Sequence, residues 1–154
     1  MATFAIFIDG VLRSHTNAPI YQGLALYKML NMDNKVYVVS SDKKNDERWL
    51  REQKLYVVDD IIGPEVPAPK DELAFYQIQH IRGLGGGFEM AITSDPELAA
   101  NLLKVGVTTL MFLQPIYMNE KFRPDGRKGV RSWQMIKDEL ESQQDAFLED
   151  PRVQ

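Results

Sequence analysis

Apolar residues run without a break from Phe4 to Ile8 and then meet Asp9-Gly10, with Val11-Leu12 beyond. A short continuous apolar run that ends in an acid and a glycine predicts a buried parallel strand, which delivers its last side chains to the carboxyl edge of an α/β sheet. After a polar stretch, Arg13 to Pro19, the apolar positions Ile20, Leu24, Tyr27 and Leu30 fall at helical spacing. Lys35 to Val39, rich in β-branched residues, predicts a second strand that ends in Ser40-Ser41-Asp42. Asn45 or Asp46 can cap the next helix, which runs to about Gln53 and turns Trp49 and Leu50 inward. Leu55 to Ile62 reads as the third strand, and the proline-rich Gly63 to Lys70 as a loop. Asp71 to Ile81 is a third helix, closed by the glycine-rich Arg82 to Gly87, and Phe88 to Thr93 is a fourth strand. Asp95-Pro96-Glu97 opens a helix to about Val105, since proline suits its first position and acids suit its positive end. Val107 to Leu113 gives a fifth strand.

Strand and helix alternate five times. That predicts a three-layer α/β/α sandwich with a mainly parallel five-stranded sheet and no large cap domain. The core spans residues 1–113, and residues 114–154 add a loop and an amphipathic helix within one domain. In such folds ligands bind beyond the carboxyl ends of the strands. Here those ends carry Asp9-Gly10, Ser40-Ser41-Asp42, Asp59-Asp60 and Thr93-Ser94-Asp95, so acids and hydroxyls collect at one edge.

Phe7-Ile8-Asp9-Gly10-Val11-Leu12 resembles the first motif of the haloacid dehalogenase-like (HAD) superfamily, a hydrophobic strand followed by DxDG(V/T)L. The resemblance implies a phosphoryl-transfer fold in which the first Asp is the nucleophile and the second the general acid/base. Matching Gly10-Val11-Leu12 puts Asp9 at the acid/base position, Gly10 beside the phosphate, and Phe7 at the nucleophile position. A phenyl ring cannot attack phosphorus. Sliding the register so that Asp9 becomes the nucleophile puts Val11 at the acid/base position and breaks the glycine match. The family's second motif, a strand-end hydroxyl that holds the phosphoryl group, falls on Ser40; the same residue also suits a turn or a cap. Its third, a charge-neutralising lysine, falls on Lys70, which reads equally well as a surface lysine. Its fourth, the acids that hold magnesium, falls on Asp95, with Ser94 as the alternative position. Asp95 reads first as a helix cap and second as a metal ligand. Together Asp9 and Asp95 imply at most weak Mg²⁺ binding, because the missing carboxylate at Phe7 would also have been a ligand.

The expected function is therefore that of a catalytically degenerate HAD-like protein, binding a protein partner or a phosphorylated ligand. The alternative is an active Mg²⁺-dependent phosphatase or nucleotidase. Most of the chain is also similar to small HAD-like proteins of actinobacterial bacteriophages, which implies an accessory or assembly role in the host cytoplasm or the virion.

Composition narrows this further. With 154 residues, 18 basic and 22 acidic side chains and a net charge of −4, nucleic acid is not the expected partner. The absence of cysteine removes disulfides, thiol nucleophiles and thiolate–zinc sites. Met1-Ala2-Thr3 has no basic region and no apolar run reaches the roughly 20 residues of a membrane span, so a cytoplasmic protein is expected. Arg123, Arg127, Lys128 and Arg131 form a basic cluster, read as a solvated loop or a phosphate contact. Ser132 to Gln144 is an amphipathic helix with Trp133, Ile136 and Leu140 on one stripe, either closing the sheet or binding a partner or a second copy. His15 and His80 give no metal motif, and Gly83 to Gly87 runs from helix to strand, the wrong direction for a phosphate-cradling loop.

Overall fold

A computed structural model of the chain describes residues 2–55, 60–85, 87–115, 131–149 and 152, with residues 131–133, 136 and 147 described by their backbone alone. Five strands and five helices alternate: β1 (Thr3–Phe7), α1 (Tyr21–Asn31), β2 (Lys35–Val39), α2 (Lys43–Glu52), β3 (Ile61–Ile62), α3 (Leu73–Gly83), β4 (Phe88–Thr93), α4 (Pro96–Lys104), β5 (Thr109–Met111) and α5 (Arg131–Glu149). The strands form one sheet in the order β3-β2-β1-β4-β5, and every pair is parallel. The apolar run of β1 makes it the central strand, with Ala5 and Ile6 fully buried between β2 and β4.

Alternation along the strands splits the core into two layers. Ile6, Val36, Val38 and Ile92 face α1 and α2 and pack with Leu24, Tyr27, Trp49 and Leu50. Ala5, Tyr37, Val39 and Ala91 face α3 and α4 and pack with Ile78, Ile81, Leu98 and Leu102. Each fully buried aliphatic side chain contributes about 1.5–3 kcal/mol through loss of contact with water. The three-layer α/β architecture therefore follows from period-two strands that are apolar on both faces. Helix α5 packs against α4.

The element bounds differ from the sequence reading at several places; α3, read as Asp71 to Ile81, runs from Leu73 to Gly83 with Glu72 at its cap position, because Asp71 sits at a φ of +65° outside the helix. Helix α2 starts at Lys43, with Asp42 as its cap, and neither Asn45 nor Asp46 takes that position. The Asp42 carboxylate accepts from the Asn45 backbone N–H and its side-chain amide, leaving Asp46 free to turn inward. Strand β5 is confined to Thr109–Met111, an edge position with one ladder partner, β4. Strand β3 is described only at Ile61–Ile62; residues 56–59 of the expected strand, Asp59 among them, lie outside the described residues. Helix α5 continues five residues past Gln144, to Glu149.

The sheet has one irregularity. Thr3 pairs with Phe88 but Phe4 with Met90, so β4 carries an extra residue, Glu89, at its amino end. From Phe4↔Met90 to Ile6↔Ile92 the pairing is regular. Among the described residues no helix is long and apolar enough to cross a membrane.

Candidate functional site

The chain leaves β1 on one side to build β2 and β3 and returns to the other side for β4 and β5. The reversal falls between β1 and β4, and an open α/β sheet holds its ligand crevice beyond the strand ends at that point. A cleft of about 320 Å³ lies there. Its apolar lining is Phe7, Val39, Leu73, Ala74 and Leu98, and three carboxylates, Asp9, Asp71 and Asp95, join them. Among the described residues that line it, none is a lysine or an arginine.

Phe7 ends β1 opposite Val39 of β2 and packs against the α3/α4 core, so its ring stands in the cleft two residues before Asp9. Gly10, at φ +83°, then turns the chain sharply, a conformation that a side chain disfavours. Its N–H donates to the Arg13 carbonyl (2.8 Å), while the N–H groups of Leu12 and Arg13 both donate to the Ile8 carbonyl. The turn brings Arg13 back across Asp9.

The Arg13 guanidinium joins two acids. Nη2 donates to Asp9 Oδ1 and Nη1 to Asp46 Oδ1, each at 2.6 Å. The Asp46 side chain is 2% exposed, that of Arg13 14% and that of Asp9 56%, so the network reaches from the interior to the cleft rim. Ser40 Oγ donates to the second Asp46 oxygen (2.5 Å) and accepts the N–H of Asp42. Arg13 also lies over the Trp49 ring, 5.5 Å from its centroid, and Trp49 Nε1 donates to the Asn17 carbonyl. Burial works against the Arg13 charge, but the hydrogen bonds to Asp9 and Asp46, with the attraction of both carboxylates, outweigh it and raise the arginine pKa.

Of the residues singled out from the sequence, the fold brings Phe7, Asp9, Ser40 and Asp95 to the cleft. The Ser40 hydroxyl is engaged with Asp46 below it. Lys70 is exposed and does not line the cleft; its neighbour Asp71 does. Gly10 shapes the turn beneath Asp9. Asp95 is the cap of α4, its Oδ1 accepting from the N–H groups of Glu97 and Leu98, whereas Ser94 is buried away from the cleft. In α5, Leu140 is half exposed, while the side chains of Trp133 and Ile136 lie outside the described residues, as do Arg123, Arg127, Lys128 and the side chain of Arg131.

Mg²⁺ needs several hard oxygen ligands converging on one point. Among the described residues no three of the types His, Cys, Asp and Glu come together to hold a metal ion. Asp9 is bonded to Arg13 and Asp95 caps α4. This donor set does not fit Mg²⁺.

The sequence reading missed the roles of three residues here, one of which, Asp46, it took for a possible helix cap. Asp46 shares the inward face of α2 with Trp49 and Leu50, at spacings of three and four, and a charge on such a face signals a buried, paired acid. Gln77 sits likewise with Ile78 and Ile81 on α3, and its Nε2 donates to the carbonyls of Ser40 (2.7 Å), Gly63 (3.0 Å) and Ile62 (3.4 Å), tying the exits of β2 and β3 together. Arg13 left no periodic signal, since a turn rather than a helix or strand aims it. Comparison of the chain with models of protein families, with curated proteins and with solved structures finds no match.

Proposed function

We propose that this chain is a HAD-like protein that has lost phosphoryl transfer and works by holding a protein partner at the carboxyl-end cleft. The observation that carries the reading is Phe7, whose ring lines the cleft where the family motif requires the nucleophilic carboxylate. Covalent transfer has no route through it. Asp9, at the acid/base position, is engaged by Arg13. A phosphate entering the cleft would face Asp71 and Asp95 beside an Asp9 already paired with Arg13, and among the described lining residues no lysine or arginine, which favours a protein ligand over a phosphorylated one. The resemblance to small bacteriophage proteins agrees with an accessory or assembly role, acted out in the host cytoplasm or on the virion.

The test is hydrolysis of p-nitrophenyl phosphate with Mg²⁺ by the wild type, Asp9→Asn and Phe7→Asp. The wild type is expected to be silent, and Phe7→Asp also, because a restored nucleophile still lacks a metal site. Wild-type turnover that disappears in Asp9→Asn would overturn the reading.

A further inference from the structure

The cleft does not end at the sheet. A second cavity, also of about 320 Å³, shares Asp71, Ala74, Asp95 and Leu98 with it and continues between α3 and α4 as far as Lys104 and Val105. The two form one groove along α4. Nine helical residues rise about 13 Å, which an extended chain covers in about four residues.

The chemistry of the groove is two-sided. Phe7, Leu73, Phe75 and Leu98 give it an apolar surface. To the three acids of the cleft, of which Asp9 is paired with Arg13, the second cavity adds Glu72 and Glu97, and among the described lining residues the one cation is Lys104, at the far end. Asp71 bonds to no other group among the described residues and is exposed, so its charge is open to a ligand. Nucleic acid and phosphate are repelled by this rim. A segment with lysine or arginine beside apolar side chains matches both parts of the groove.

We propose that the α3/α4 groove is the docking site for an extended segment of the protein partner, about four residues long, with basic side chains on the acidic rim and apolar ones on the floor. This rests on the binding reading above and names the chemistry of its partner. The test uses the full chain and a fluorescein-labelled hexapeptide alternating lysine and leucine, followed by anisotropy at about 0.15 M salt, where charges more than about 8 Å apart are largely screened. Asp71→Asn/Glu72→Gln is the groove variant; asparagine tolerates the positive φ that Asp71 adopts. Asp138→Asn/Glu141→Gln/Asp145→Asn removes charge from α5 at residues that line neither cavity of the groove, and serves as the control.

Binding should weaken about tenfold in the groove variant, stay unchanged in the control, and weaken again when serine replaces leucine in the peptide. No binding, equal loss in both variants, or indifference to leucine overturns the proposal. So does dimerisation that the groove variant abolishes, which would assign the groove to a second copy. A protein that is silent in hydrolysis and does not bind the peptide loses this inference alone; turnover by the wild type removes the reading beneath it.

Discussion

Replacing Arg13 with methionine keeps the length and apolar stem of the side chain and removes its charge. Asp46, 2% exposed, then holds a carboxylate inside the protein with, among the described side chains, only the Ser40 hydroxyl left to it. Breaking a buried pair from one side costs about 3–5 kcal/mol, because the surviving charge is stranded. The Asp9 half of the network is different: its carboxylate is 56% exposed, and an ion pair so open to water contributes about 0–1 kcal/mol. Arg13→Met should therefore lower stability by about 3–5 kcal/mol and Asp9→Asn by no more than about 1 kcal/mol. With a urea m-value of about 2 kcal/mol/M, the first loss moves the unfolding midpoint down by roughly 1.5–2.5 M. The double variant Arg13→Met/Asp46→Leu removes both buried charges and should recover most of the loss, ending within about 2 kcal/mol of the wild type. Equal costs for Arg13→Met and Asp9→Asn, or a double variant no better than Arg13→Met alone, would refute the account of a buried anchor with an exposed end.

Gly23→Ala should destabilise by about 3 kcal/mol in thermal or urea unfolding despite the better helix propensity of alanine, because the new Cβ would lie 1.7 Å from the Val11 carbonyl oxygen. Gln77→Leu removes a donor shared by three buried carbonyls, of which that of Ile62 keeps the Ser40 N–H, and should cost about 2 kcal/mol, read from urea midpoints. Glu65 has its pKa lowered from the ordinary carboxyl value, first by the hydrogen bond from its own backbone N–H; burial opposes this, and the N–H of Gly63 with the attraction of Lys43 and His80 adds to the lowering. A lowered carboxyl pKa stabilises the fold above the unfolded value, and the benefit is lost as pH falls through the folded one. The stability gap between wild type and Glu65→Gln should thus be present near neutral pH and close in acid, and it should be small because the side chain is largely exposed.

The order and type of elements were legible because each strand is a short apolar run and each helix carries an apolar stripe, and neither signal depends on distant residues. The placing of Phe7 and Asp9 came from the motif resemblance alone; in the structure both line the cleft, with Asp9 two residues past the end of β1. The start of α2 was not. Asp42, Asn45 and Asp46 can all cap a helix, and the choice is made by Arg13, 33 positions from Asp46, which draws that carboxylate inside. Lys70 and Asp71 presented the same difficulty. Both stand just ahead of α3, and Asp71 adopts a φ of +65°; sequence pattern alone does not say which of two neighbours a turn will aim into a cleft. Strand β5 was read too long because an apolar run does not reveal how far the neighbouring strand extends beside it.

The extra residue in β4 divides the sheet mechanically. Glu89 is taken up beside Thr3, at the amino edge, and the ladder is regular from Phe4 onward. A change of length in the turn between α3 and β4 can be absorbed there, like slack taken up before a ratchet engages. The opposite edge, where Phe7 and Thr93 reach the cleft, then keeps its alignment. Insertions and deletions at that turn should then leave the cleft end unmoved, so the two edges of one sheet can diverge at different rates.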